Sequence, residues 1–262
     1  INPYQGCEHG CIYCYARPSH AYLGLSAGLD FETRIFGKQN AAELLRAELS
    51  RPGYRCEPIS LGANTDPYQP AERKHGITRS ILRVLAEFRH PVGIVTKSSL
   101  VERDLDLLAE MAKDRLAQVF VSITSLDATL SRRLEPRAAA PFRRLETLRR
   151  LHAAGVPCGV LVAPVIPFLT DQYIEKVIDA AAYAGATTGG YVMLRLPHEL
   201  KDLFRDWLKT HFPLQARRVM ARVRDVRGGR ENDTEFGRRM VGQGEYAELI
   251  RRRFNAACRR VG

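Results

Sequence analysis

The chain has 262 residues, of which 45% are hydrophobic and 26% charged, so it can bury a full core as one large α/β domain or two smaller ones. No stretch approaches the roughly 20 apolar residues that a membrane span needs, and no secretory leader is present, so we expect a cytoplasmic protein without a membrane partner. The formal net charge of +11 is concentrated late in the chain, where residues 201–262 hold 16 Lys and Arg against 8 Asp and Glu.

A group of three cysteines lies near the start. Cys7, Cys11 and Cys14 follow a C-x3-C-x2-C spacing, which lets three soft thiolates point into one small volume and selects iron–sulfur clusters or zinc. On a four-iron cubane, three ligands leave one iron open, whereas zinc needs a fourth ligand such as His9 or His20. The spacing favours iron–sulfur, and zinc stays open. Because the first residue is not Met and this motif comes so early, we expect an N-terminal segment before it.

Beyond the motif, short β-rich runs alternate with helical patterns, which is typical of βα units around a parallel sheet. Between these runs, apolar residues recur at helical spacing, as at Ile81, Leu82 and Leu85. If residues 1–4 end an earlier strand, the strand count is six, and we predict an α/β fold, a partial open (βα)6 barrel. The other predicted strands are residues 59–61, 92–96, 118–123, 159–163 and 189–194.

The pattern changes after residue 197, where helices with arginine-rich faces follow. We predict two regions, a barrel over residues 1–197 with a truncated first strand and a helical extension over residues 198–262. Runs such as Arg251 and Arg252 suit sequence-independent contacts to phosphates. We therefore expect the extension to bind nucleic acid, although such runs are also typical of solvated, ion-paired helix faces.

The cysteine motif carries a family resemblance. Tyr13 stands directly before Cys14, and C-x3-C-x-aromatic-C after the first strand of a partial barrel is the hallmark of the radical S-adenosylmethionine (SAM) superfamily, which this sequence resembles. Within that superfamily, NPYQGC at residues 2–7 and NTDPYQPAE at residues 64–72 are similar to uncharacterised DNA-repair photolyase-like proteins grouped with spore photoproduct lyase.

The resemblance implies an enzyme with two cofactors, a [4Fe–4S] cluster bound by the three cysteines and SAM, and a flavodoxin- or ferredoxin-like reductant as partner. SAM would chelate the open iron, and one electron would cleave it to methionine and a 5′-deoxyadenosyl radical that takes a hydrogen atom from the substrate. The DNA-repair group implies nucleic acid as a substrate.

The resemblance also implies residues that bind SAM. Tyr13 would touch the adenine, and Gly62 and Asn64 stand where the amino group is bound, although the usual Gly-Gly-Glu form is absent. Later strand ends carry side chains placed to reach the carboxylate, ribose or adenine: Lys97, Ser98, Ser122, Thr124 and Ile166. Arg137, farther along the chain, is a further carboxylate partner that the resemblance implies. Polar residues at strand ends also cap helices or face solvent, so a purely structural role for each of these residues stays open.

Two further residues are candidates for the chemistry itself. Asp66 lies in a rigid, proline-flanked turn, where it either orders the substrate or bonds its own backbone. Tyr15 follows the last motif cysteine and either relays a hydrogen atom or packs against the cluster.

The sequence departs from its relative in one respect. The spore enzyme uses a cysteine at the end of its second strand as hydrogen donor, and residues 62–66 contain none, so the spore photoproduct reaction itself is not expected. Lesion repair with another donor, modification of RNA or DNA, and modification of a protein stay open. So does a different class, a zinc-stabilised nucleic-acid-binding module without catalysis.

Overall fold

The computed structural model describes residues 1–235 and 237–262. Two short strands, β1 (Tyr4–Gln5) and β2 (Phe36–Gly37), pair antiparallel near the start of the chain. Five further strands form one parallel sheet, in which each strand pairs with the next along the chain. These strands are β3 (Ile59–Leu61), β4 (Val92–Thr96), β5 (Ala117–Ser122), β6 (Cys158–Val165) and β7 (Thr188–Met193).

Helices connect the parallel strands and follow the last one. The described part of the chain contains α1 (Leu29–Thr33), α2 (Ala41–Leu49), α3 (Pro70–His75), α4 (Ile77–Glu87), α5 (Leu105–Lys113), α6 (Ala128–Leu134), α7 (Pro141–Ala153), α8 (Ile174–Tyr183), α9 (Leu200–His211), α10 (Pro213–Asp225), α11 (Arg238–Val241) and α12 (Gly244–Val261). Three 3₁₀ helices span Arg17–Leu23, Ser99–Asp104 and Asp171–Tyr173. None of the described helices combines the length and apolar composition that a membrane span requires.

The two faces of the sheet have different environments. Val92 and Ile94 of β4 are buried in the main core that the sheet shares with its helices, and Val95, which points to the other face, lines a cavity. This alternation follows from the two-residue period of a β-strand. On the helix side, α4 buries Ile81 and Leu82 completely, and each such side chain contributes about 1.5–3 kcal/mol through burial.

The predicted α/β fold class is confirmed, with a parallel sheet and helices at the C-terminus. Each of the five strands predicted beyond residue 58 lies within two residues of an observed strand. The expectation that residues 1–4 continue the parallel sheet is wrong. Tyr4 pairs antiparallel with Gly37 instead, and the amino group of Ile1 reaches β3 only through a 2.7 Å hydrogen bond to the carbonyl oxygen of Ser60.

The helices after β7 pack in two places. Phe204 of α9 and Val219 of α10 are fully buried in a second apolar cluster, which also contains Cys11 and Tyr13 of the cysteine loop. Helix α12 packs against α8 and β7, and its Phe254 ring belongs to the main core. The extension therefore has apolar contacts with the barrel, and the domain boundary at residue 197 stays a prediction.

Candidate cluster and cofactor site

A cavity of about 330 Å³ lies at the carboxyl ends of the parallel strands. Loops that follow parallel strands converge at this edge, which is where α/β folds bind ligands. The motif cysteines Cys7, Cys11 and Cys14 contribute to its lining. An apolar wall is formed by Val95, Leu161, Ala163, Pro164, Val192 and Met193.

The cysteine loop is held in place by a buried arginine. The Arg17 side chain donates to the carbonyl oxygen of Cys11 at 2.9 Å and to that of Gly10 at 3.1 Å. The backbone N–H of Cys7 donates to the carbonyl oxygen of Phe31 at 2.9 Å. These bonds fix the loop conformation through its backbone carbonyl and N–H groups, which leaves the thiol groups to act as ligands.

The three thiols suit an iron–sulfur cluster. Burial raises the pKa of all three, that of Cys11 to about 12. Iron ions would reverse this, because a coordinated thiol is deprotonated by the metal charge. Among the described residues, no three His, Cys, Asp or Glu side chains are arranged to hold a single metal ion. A four-iron cubane does not require that arrangement, since each thiolate binds a separate iron.

Asp66 joins three segments at the cavity. Its carboxylate accepts hydrogen bonds from the Thr96 hydroxyl and the Lys97 backbone N–H, both at 2.7 Å, and from the Tyr68 N–H at 2.9 Å. The His9 Nδ1 atom lies 3.4 Å away. Burial alone would raise the pKa of Asp66, but His9 and these hydrogen bonds lower it to about 2. The carboxylate is therefore ionised and ties the loop after β3 to the end of β4.

Tyr13 is oriented by a buried ion pair. Its hydroxyl donates to Glu135, which also accepts from the Thr124 hydroxyl and pairs with Arg144. Both charged side chains of that pair are at most 1% exposed, and Arg144 donates in addition to the carbonyl oxygen of Ser122 at 2.8 Å. The pair fixes the Tyr13 ring at the cavity wall.

Lys97 supplies a cation inside the cavity. Its ammonium group lies 5.8 Å from the centre of the Tyr13 ring. Burial opposes the charge of Lys97, but negative charge at Cys11 and Glu135 raises its pKa overall. The group is protonated near neutral pH and is placed to bind an anionic part of a cofactor.

The structure brings together seven of the predicted SAM-site and catalytic residues. Besides Tyr13, these side chains or backbones line the cavity: Tyr15, Gly62, Asn64, Asp66, Lys97 and Ser122. Tyr15 is 41% exposed, and its hydroxyl donates to the carbonyl oxygen of Ala63. Gly62 has a φ of +87°, which lets the chain turn sharply after β3.

Four predicted residues lie outside the cavity lining. The Ser98 hydroxyl caps the 3₁₀ helix after β4 by accepting from the Leu100 N–H at 3.1 Å, and Thr124 is engaged with Glu135. The Arg137 side chain pairs with Glu32 and donates to the carbonyl oxygen of Glu8, on the outer side of the cysteine loop. Ile166 is fully buried in the second apolar cluster. In this structure these four residues support the site and do not face the cavity.

Sequence reasoning missed several lining residues, including His9 as a cavity residue, Thr96, Arg195 and Met240. Arg195 had a usable signal, because it directly follows the last predicted strand, residues 189–194. Met240 had none, since it comes from α11, far along the chain. The Glu135–Arg144 pair was also missed, because its partners are brought together only by the packing of α6 and α7.

Comparisons with known proteins identify the family of the chain. The family model that matches residues 1–181 is described as the radical SAM superfamily. An uncharacterized protein of Mycobacterium tuberculosis is 41% identical over 215 residues, which cover 81% of this chain and 63% of that protein. The chain thus spans less than two thirds of the length of this relative.

Solved structures share the fold. Spore photoproduct lyase complexed with dinucleoside spore photoproduct superimposes with a TM-score of 0.64 at 16% identity, over 98% of this chain and 72% of that chain. A double mutant of that enzyme with bound AdoMet and dinucleoside spore photoproduct gives a TM-score of 0.58 at 17% identity, over 100% of this chain and 72% of that chain. With the family model covering more than half of the sequence, the chain belongs to the radical SAM superfamily.

Proposed function

We propose that the protein is an enzyme that cleaves SAM reductively at a [4Fe–4S] cluster and uses the resulting 5′-deoxyadenosyl radical to take a hydrogen atom from its substrate. One observation carries this proposal: Cys7, Cys11 and Cys14 line a single cavity at the carboxyl edge of the parallel sheet. When bound there, the cluster supplies an electron and an open iron site, which is chemistry that no side chain offers.

The residues of the chain bind and orient SAM. Lys97 offers an ammonium group to the SAM carboxylate, and the Tyr13 ring, held by Glu135, offers a flat surface for the adenine. Asp66 bonds the loop after β3 to the end of β4, so it holds these two parts of the cavity together. The apolar wall excludes water, which limits side reactions of a reactive intermediate.

Substitution of the motif cysteines tests the proposal. After anaerobic reconstitution, Cys11→Ala or Cys14→Ala should remove most of the iron and all formation of 5′-deoxyadenosine from SAM and dithionite, because each thiolate holds a separate iron. Cys56→Ala is the matched control, since Cys56 is an exposed free cysteine outside the cavity, and it should keep both. Normal 5′-deoxyadenosine formation by Cys11→Ala would show that the ligand assignment is wrong.

Nucleic acid is the substrate class that we propose. Support comes from the net charge of +11, from its concentration after residue 200, and from the fold shared with a lyase whose structure holds a dinucleoside lesion. Residues 62–66 lack the cysteine donor of that lyase, so the reaction on the nucleic acid differs. A flavodoxin- or ferredoxin-like protein in the cytoplasm is the proposed reductant. Radical modification of a protein is the alternative if no nucleic acid binds.

A further inference from the structure

Arg195 is a cation at the cavity with an unused hydrogen-bond donor. It lies two residues after the end of the edge strand β7 and lines the cavity together with Tyr15 and Met240. Its guanidinium lies 4.9 Å from the centre of the Tyr15 ring, and one terminal nitrogen lies 3.7 Å from the sulfur of Met240, which is a weak acceptor. The Nε atom is buried and has no hydrogen-bond partner. The guanidinium edge therefore has capacity for a further acceptor.

Arg195 differs in its partners from two other arginines of the C-terminal region. Among the described residues, no ion pair involves Arg195, whereas Arg205 pairs with Glu231, and Arg253 with Glu175. Buried polar groups in proteins are normally satisfied, and an exception indicates a ligand or another functional role. The Nε atom of Arg195 is one of several such exceptions among the described residues, and it belongs to a residue that lines the cavity.

The surroundings of Arg195 are positively charged. Burial and the nearby Arg239 both lower the pKa of Arg195. Beneath it, Arg227 is 2% exposed and donates to the carbonyl oxygens of Met193 and Leu194, the residues just before Arg195. An anion bound at Arg195 would relieve this repulsion, whereas a neutral ligand would not.

Arg195 and Lys97 enter the cavity from different strands. Lys97 follows β4, and the Glu135 carboxylate, together with Cys11 where it is a thiolate, compensates its ammonium group. Arg195 follows β7, three strands away, beside the half-exposed ring of Tyr15. A guanidinium next to an accessible aromatic ring combines phosphate binding with base stacking, the pairing of contacts typical of single-stranded nucleic-acid sites.

From this geometry we infer that Arg195 is a substrate-binding residue that holds a phosphodiester group of a nucleic-acid substrate at the mouth of the cavity, with Tyr15 as the stacking surface beside it. This inference rests on the proposed function, because it requires the cavity to be the catalytic one. It adds the chemical class of the group that the substrate must carry and the residue that recognises it.

A matched pair of probes tests the inference. The anaerobically reconstituted holoprotein is titrated with a thymidine dinucleoside monophosphate and with its uncharged methylphosphonate analogue. We expect the wild type to bind the charged probe about tenfold more tightly or better, and Arg195→Gln to weaken that binding about 10- to 100-fold and to remove the difference between the probes. Arg195→Lys keeps the positive charge but loses the two parallel donors of the guanidinium. Its affinity for the charged probe should therefore lie between those of the wild type and Arg195→Gln. Arg149→Gln is the control, since Arg149 is an ion-paired cation on α7.

Several outcomes would overturn the inference. Arg195→Gln that keeps the preference for the charged probe, at unchanged iron content and circular dichroism, would remove Arg195 from substrate binding. A wild type that binds neither probe, or that binds an acidic peptide instead in an Arg195-dependent manner, would remove the phosphodiester. Formation of 5′-deoxyadenosine is measured in parallel without probe. Its absence together with charge-dependent probe binding would contradict the proposed function, and Arg195 would then be a phosphodiester-binding residue of a cavity that is not catalytic.

Discussion

Gly62 illustrates how one residue shapes the floor of the cavity. A Cβ atom at this position would overlap the carbonyl oxygen of Val95, and the φ of +87° disfavours any side chain. Gly53 has a similar φ of +80°, but a Cβ atom there would meet nothing within 4 Å. A comparison of the two glycines therefore separates the cost of the positive φ, which both share, from the cost of steric overlap, which only Gly62 has.

We predict that Gly62→Ala lowers the free energy of unfolding by clearly more than the roughly 1 kcal/mol expected for Gly53→Ala, and that it weakens SAM binding. Urea unfolding and SAM titration of both variants measure this. Equal losses of stability would mean that the loop after β3 relaxes away from Val95, and the close approach of these two segments would then be unimportant.

At the level of single residues, the sequence predicted the site best where ligand binding requires a particular residue type. The spacing of the cysteines and the polar residues after β3, β4 and β5 pointed to Asn64, Lys97 and Ser122, all of which line the cavity. Ser98 and Thr124 carried the same signal and point elsewhere, because Ser98 caps a helix and Thr124 binds Glu135. A strand-end position fixes where a side chain starts, whereas its direction depends on neighbours that the sequence does not identify.

Among the elements, helix α12 depends on apolar packing more than on its many charges. Phe254 is 6% exposed, and its ring centre lies 4.9 Å from that of Tyr191 on β7. Arg260 pairs with Asp179 of α8, but both side chains are about half exposed, so solvent screens the pair.

We predict that Phe254→Ala lowers the free energy of unfolding by about 3–5 kcal/mol, whereas Arg260→Ala lowers it by less than about 1 kcal/mol. Denaturant unfolding followed by circular dichroism provides both values. Comparable effects of the two substitutions would contradict an apolar attachment of α12 to the barrel.

The longer elements were predictable for a physical reason. Strands β4 to β7 are β-rich runs bounded by helical patterns, and their positions follow from local sequence. Strands β1 and β2 have two residues each, and their pairing of Tyr4 with Gly37 depends on contacts between segments far apart in the chain. No local pattern reveals such a pair, which explains why the sequence left open that residues 1–4 end a strand of the parallel sheet.

For the whole molecule, the distribution of positive charge determines which class of partner it can bind. Arg251 and Arg252 are exposed, and both donate to Glu248. Exposed ion pairs contribute little free energy, so phosphate groups can compete for these side chains. Binding of nucleic acid by the C-terminal region therefore stays a proposal. The exposed ion pairs with Glu248 are too weak to prevent it.

We predict that single-stranded DNA binds the holoprotein with log K falling linearly in log salt, by about 0.7 for each phosphate contact. The double variant Arg251→Gln with Arg252→Gln should make that slope shallower, because it removes two cations. Lys113→Gln, at an exposed cation of α5 paired with Glu110, should leave the slope unchanged. Absence of binding at about 50 mM salt would shift the substrate class towards a protein.

The most direct test of the central claim, that SAM binds against a cluster held by Cys7, Cys11 and Cys14, is electron paramagnetic resonance of the dithionite-reduced holoprotein. We predict the signal of a reduced [4Fe–4S] cluster that changes when SAM is added, because SAM coordinates the iron that lacks a protein ligand. A reduced cluster whose spectrum is identical with and without saturating SAM would contradict it.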